Sequence, residues 1–176
     1  MYQKLIKTKM MFIIALAFAF WATNLNIFAV PNFTFPGAGT ETNPFQISTL
    51  EDLKELADSV LQPTYYFFHS DKNLHFILTN DITDPVTFCI GDDNPGSGCQ
   101  SFTGIFDGRG HSITVQLDAC FSSNNTVALF PCIRTSGEEV IIKNLTINGY
   151  VNGYSAAGGI VGANNSYTNN HNLHNK

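Results

Sequence analysis

From residue 65 onward the chain breaks into short β-type runs punctuated by Gly, Asn and Asp, and this rhythm restricts the fold more than any other feature. The runs are LHFIL (74–78), VTFCI (86–90), GIF (104–106), SITVQL (112–117), TVALF (126–130), VIIKNLTI (140–147) and GGIVG (158–162). Segments this short with such punctuation predict an all-β domain. In SITVQL, Ile113, Val115 and Leu117 alternate with Ser112, Thr114 and Gln116, so each strand is expected to bury one face. Sandwiches and barrels share that alternation, and the corners discriminate. Asp107-Gly108 lies back to back with Arg109-Gly110, and Asn148-Gly149 stands four residues before Asn152-Gly153. Corners so closely paired suit a parallel β-helix, in which the chain changes direction several times per coil. Asn, which makes up 16 of the 147 residues after Ala29, tolerates the left-handed conformations such corners need.

Upstream, residues 30–47 are rich in Pro, Gly and Thr and carry Phe33, Phe35 and Phe45, which reads as an extended lead-in. Ser48 and Glu51 have capping-box spacing, and Leu50, Leu53, Leu56, Ala57 and Val60 follow on one face. The spacing predicts one helix of about thirteen residues, stopped by Pro63 and lying over the open end of a sheet. The expected organisation is a signal peptide over 1–29, lead-in and capping helix over 30–63, β-helix coils over 64–165 and a disordered Asn-rich tail over 166–176.

The N-terminal assignment rests on Lys4, Lys7 and Lys9, the 13-residue apolar run from Met10 to Ala22 and a polar TNLN segment before Ala29. Such a run is short for a membrane span, though an uncleaved anchor extended to Val30 is the competing expectation. No second apolar run of spanning length follows, so the remainder is expected outside the membrane. Cleavage would leave 14 acidic against 6 basic residues, a formal charge of −8, which argues against a nucleic-acid partner. Cys89, Cys99, Cys120 and Cys132 form no C-x-x-C pair, and two disulfides are expected in an oxidising compartment. Of the three connectivities, Cys89–Cys99 with Cys120–Cys132 is preferred because each pair brackets a turn-rich loop; four buried thiols are the alternative. The Asn-x-Ser/Thr sites at Asn32, Asn124, Asn144 and Asn164 barely exceed the number expected from composition and decide nothing about the source.

Taken in order, G-x-G-T (37–40), N-P-F-Q-I (43–47), the capped helix, L-T-N-D-I (78–82), I-G-D-D (90–93), F-T-G-I-F-D-G-R-G-H-S-I (102–113), I-K-N-L-T-I (142–147) and G-G-I-V-G (158–162) carry a family resemblance. This order resembles secreted bacterial surface proteins with GLUG repeats, including the β-helical N-terminal regions of large adhesins and immunoglobulin-cleaving metallopeptidases. The resemblance covers about 37–165 and implies a right-handed parallel β-helix with an adhesive or structural role at the cell surface. Two departures stand out. Where the family continues with a glycine-flanked L-F-G, this chain has Ala128-Leu129-Phe130-Pro131-Cys132, and GGIVG occurs once before an Asn-rich tail. A fragment of a larger adhesin, missing C-terminal repeats, is therefore expected alongside a small complete protein.

No catalytic or metal site is expected. Asp92-Asp93 resembles the G-D-D of glycan-cleaving β-helix hydrolases, but G-H-S stands at 110–112 and no R-x-K is present, so the pair reads as solvated loop carboxylates. Asp107, Gly108, Arg109, Gly110 and His111 read as a structural turn, with Asp107 capping backbone N–H groups and His111 bonding a neighbouring coil. H-E-x-x-H, G-x-S-x-G and spaced calcium loops are absent, and His171 and His174 sit in a segment unsuited to helix, so no cofactor is expected. Aromatic residues carry the binding expectation. Tyr65 and Tyr66, next to Phe67 and Phe68, together with Tyr150 and Tyr154 would face a surface glycan or a host protein. The rival class is an enzyme cleaving acidic polysaccharide.

Overall fold

The computed structural model describes residues 33–62, 74–92, 100–118, 126–133, 139–153 and 156–164. The signal segment, Tyr65, Tyr66, Asp93, Cys99, Cys120, Tyr154 and the Asn-rich tail lie outside the described residues. Strands dominate: β1 (Phe45–Ile47), β2 (His75–Leu78), β3 (Ile82–Val86), β4 (Ile105–Asp107), β5 (Ser112–Asp118), β6 (Thr126–Val127), β7 (Phe130–Ile133), β8 (Ile141–Lys143), β9 (Thr146–Asn152), β10 (Ala156–Ala157) and β11 (Val161–Asn164). Among the described residues a single helix, α1 (Leu50–Val60), follows β1, and the described part is all-β with that one helix.

Every ladder among these strands is parallel. The sheets have orders β1-β2-β4-β8, β3-β5-β9, β6-β10 and β7-β11. Paired residues are 29 to 36 apart in sequence, so equivalent positions of successive segments lie beside one another. Phe45 pairs with Phe76, Phe76 with Phe106 and Phe106 with Ile142. In the second sheet Ile82, Ile113 and Ile147 align in the same way. Like side chains thus stack at the spacing of adjacent strands, about 4.8 Å.

The core is this stack seen from inside. Phe76, Phe102, Phe106 and Phe130 are fully buried, and Phe102 reaches the rings of Phe76, Phe106 and Phe130 at 5.8, 6.4 and 5.0 Å. Strand β5 shows the expected alternation, with Ile113, Val115 and Leu117 at 0% exposure between more exposed neighbours. At one end, Phe33 stacks on Phe35 at 4.5 Å and meets Phe45 edge-on at 4.8 Å. Helix α1 turns Leu53, Leu56, Ala57 and Val60 into the same core and touches β3. Thr34 ties the lead-in to the helix, donating its N–H and hydroxyl to the Glu55 carboxylate at 2.9 and 2.6 Å.

Several local expectations are corrected. The capping box is Thr49 with Asp52, one residue later than Ser48 with Glu51. Both pairs have the right spacing, but the Asp52 carboxylate gathers the N–H groups of Ser48 and Thr49 and the Ser48 hydroxyl at 2.8–3.0 Å. The helix has 11 residues and ends at Val60 with Leu61 as its C-cap, before Pro63 is reached. The strand expected at 86–90 lies instead at Ile82–Val86, where a register shift accommodates Pro85. VIIKNLTI is two strands broken at Asn144, whose φ of 53° makes a left-handed corner. TVALF likewise breaks at Ala128 and Leu129 into β6 and β7, and GGIVG forms strand only from Val161.

Cys89 and Cys132 are buried at 2% and 0% exposure, and each is disulfide-bonded. Their pairing falls outside the described residues together with Cys99 and Cys120.

Gly149 has φ of 108°, and a Cβ there would overlap the Val115 carbonyl of the neighbouring strand. Gly149→Ala is therefore expected to destabilise the fold by more than about 1 kcal/mol. Phe106→Ala, which empties the centre of the ring stack, should cost about 3–5 kcal/mol. Chemical denaturation of both variants beside the parent chain checks these values.

Candidate functional site

The corner after β4 gathers several polar side chains. Asp107 ends that strand, and its Oδ1 accepts the Arg109 N–H at 2.9 Å and the Asn144 Nδ2 at 3.0 Å. Lys143 Nζ stands 3.6 Å from the other oxygen. Arg109 takes a φ of 51°, which permits the tight turn. Gly108 and Gly110 donate their N–H groups to the carbonyls of Lys143 and Asn144 at 2.9 and 2.8 Å. The turn therefore fastens one chain segment to the segment paired with it, and a side chain on Gly108 would overlap the Asn144 carbonyl.

A second bridge reaches the opposite neighbour. His111 Nδ1 lies 3.3 Å from Asp81 Oδ1, which also accepts the Ser112 N–H at 2.7 Å. A third links β5 to β9, where Asp118 accepts the Tyr150 hydroxyl at 3.1 Å and the Asn152 amide at 3.2 Å. None of Asp81, Asp118, Asn144 and Asn152 was assigned a bridging role from the sequence, where Asn144 stood as a glycosylation sequon and Asn152 as a corner residue. Superposing T-N-D-I (79–82) on G-H-S-I (110–113) at the thirty-one-residue interval would have brought Asp81 beside His111.

Charge in this region is set by these contacts. Partial burial works against ionisation of Asp107, but the Asn144 amide, the Arg109 N–H and the Lys143 ammonium outweigh it and hold its carboxyl below the usual range. The Ser112 N–H, with His111 beside it, lowers the Asp81 carboxyl despite some desolvation. The Tyr150 phenol is pushed up by its bond to Asp118 and by that carboxylate's charge. These are acceptor carboxylates occupied by donors, an arrangement that orients backbone and crosslinks strands.

Of the tyrosines expected to bind, Tyr150 alone falls within the described residues, where it is the exposed large apolar side chain at 50% exposure. Its ring stands outward on β9 with the hydroxyl held by Asp118. Asp92 departs from expectation. It is 9% exposed, and it pairs through backbone hydrogen bonds with Gln100 at 2.7 and 2.9 Å, so it is not a solvated loop residue. Beside the Asp107 corner lies an open depression of about 730 Å³ lined by Arg109, Gly110, Asn144, Leu145 and Thr146. No cluster of three potential metal-ligating side chains occurs among the described residues. Nor is any helix among them long and apolar enough to cross a membrane.

No family model matches the chain, and no solved structure matches it. It is similar to halomucin of Haloquadratum walsbyi, 31% identical over 127 residues that cover 65% of this chain and 1% of halomucin. The chain thus spans about a hundredth of that relative's length.

Because both Asp81 and Asp107 have lowered values, the stability they contribute is present above the ordinary carboxylate range near pH 4 and is lost as pH falls through their folded values. Asp107→Ala is expected to cost about 1 kcal/mol at pH 7. The gap to the parent chain should close toward pH 2. Melting temperatures of the two proteins between pH 2 and 7 provide the check, and a constant gap would contradict the assignment.

Proposed function

We propose that the four parallel sheets are faces of one right-handed parallel β-helix, and that this solenoid serves as a secreted structural or adhesive module rather than a catalyst. The observation that supports it best is the recurrence of the same inward position at intervals near thirty residues, as in Phe45, Phe76, Phe106 and Ile142. A chain that returns to the same register in several sheets by parallel crossovers is most simply wound as a coil, and such crossovers are overwhelmingly right-handed. Helix α1 then takes the place of a strand in the first coil and closes that end.

Export is supported by the basic and apolar N-terminal pattern and by the disulfide-bonded state of Cys89 and Cys132. The module reading also agrees with the similarity to a small part of the far longer halomucin. Binding would centre on the outward face of β9, where the Tyr150 ring offers a stacking surface for a sugar or a partner protein. The polysaccharide-cleaving alternative draws no support from Asp92, whose burial removes it from contact with a chain lying in a surface groove.

The test begins with the full chain expressed with export to an oxidising compartment, followed by thermal melting with and without reductant. A cooperative β-type melt is expected to fall by roughly 10 °C or more on reduction. Binding to glycans and extracellular matrix proteins should then weaken at least tenfold in Tyr150→Ala but not in Tyr150→Phe, which loses the same bond to Asp118 and keeps the stacking ring. Cleavage of an acidic polysaccharide by the parent chain would overturn the reading in favour of the enzyme.

A further inference from the structure

The outward face of the β3-β5-β9 sheet is polar and carries charge of one sign only. Its three strands contain two carboxylates, Asp84 and Asp118, and no Lys, Arg or His. Asp84 is exposed on β3, and both oxygens of Asp118 are taken, by the Tyr150 hydroxyl and the Asn152 amide. Thr114, Gln116 and Asp118 of β5 lie level with Asn148, Tyr150 and Asn152 of β9, so hydroxyl, amide and phenol groups alternate across the two strands.

Tyr150 stands in the middle of this face with half of its surface open. Its hydroxyl is committed to Asp118, two positions beyond the Gln116 paired with it, so what the residue offers a ligand is its ring. The Gln116 backbone lies about 4.8 Å away across the strands and that of Asn148 about 6.6 Å away along β9. Both side chains are exposed, and among the described residues neither amide has a hydrogen-bond partner. Each therefore presents two donors and an acceptor beside the ring. A further strand paired beyond β9 would extend the layer sideways and leave the face itself uncovered.

We propose that this face binds an uncharged glycan, with a sugar ring stacked on Tyr150 and the adjoining hydroxyls held by the Gln116 and Asn148 amides. The inference deepens the binding role given to Tyr150 above and rests on it. A pyranose with equatorial hydroxyls presents a flat C–H surface that an aromatic ring covers, and the hydroxyls at its rim both donate and accept. Free amides meet both needs at once. A uronate or sulfate would find no cation on this face and two carboxylates, so its charge would be desolvated without a partner. A protein interface gathers several large anchors, whereas Tyr150 is the exposed large apolar side chain among the described residues, a contact the size of one sugar.

The full chain exported to an oxidising compartment is titrated by calorimetry with cellohexaose and mannohexaose, both uncharged, and with their C6-oxidised acidic forms. At least one uncharged chain is expected to bind, and its acidic form at least about tenfold more weakly at low salt, with the difference shrinking as salt rises. Gln116→Ala and Asn148→Ala should each weaken the uncharged chain by about threefold or more. Asp84→Lys should bring the affinities of the two forms closer together. Equal or tighter binding of the acidic form by the parent chain would overturn the selection by charge, and full affinity in both amide variants would overturn the contacts. Tyr150-dependent binding to a matrix protein, with neither uncharged chain bound, would sink this inference and leave the binding module standing. Cleavage of any of these sugars would remove both.

Discussion

Stacking of equivalent apolar residues on adjacent parallel strands is the constraint on which the rest depends. A three-residue strand such as β1 or β4 is too short to hold its place by backbone pairing alone. Its register comes from the side chain at its centre, since Phe45, Phe76 and Phe106 each sit on the ring of the next segment or align with it. A slip of one residue would turn that ring outward and expose it. The aromatic column therefore specifies the pairing that the short strands then complete, and Phe102 and Phe130 extend it across to the neighbouring sheet.

That column also explains the first end. A stack of strands exposes a terminal layer of apolar side chains wherever it stops, and here the lead-in phenylalanines and the apolar face of α1 cover that layer. The helix is well suited to the task because its buried stripe is narrow, from Leu53 to Val60, while its capping box secures the sharp entry from β1. The layer carrying Ile142, Ile147 and Val151 lacks an equivalent cover among the described residues, and its partial exposure follows directly.

The elements with strong local signals were legible in the sequence. The alternation of β5 and the apolar stripe of α1 both emerge where spacing places them. The elements misread were those where two neighbouring solutions satisfy the same local rule. Ser48 and Thr49 each stand three residues before an acid, and the choice fell to Asp52 because one carboxylate can collect both backbone N–H groups and the Ser48 hydroxyl. VIIKNLTI reads as one long strand until Asn144 turns left-handed. Asp92 looked solvated because its pairing with Gln100 spans a segment whose course no local pattern reveals. The bridges through Asp81 and Asp118 were illegible for a related reason, since their partners stand about thirty residues away.

Parallel stacking also dictates which polar groups the surface can hold. Equivalent residues on successive strands lie about 4.8 Å apart, so a carboxylate repeated at one position would face its own charge. Among the described strand pairs no carboxylate is aligned with another. Asp107 is aligned with Ile77 on one side and Lys143 on the other, and Asp118 is aligned with Asn152. The carboxylates of Asp81, Asp107 and Asp118 are answered in the next layer by donors and become crosslinks between segments. An excess of acid can thus be carried by a fold built on repetition, provided the repeat is strict inside and varied outside. Tyr150 follows the same logic, since its hydroxyl answers Asp118 while its ring, standing beside Gln116, is left to the solvent.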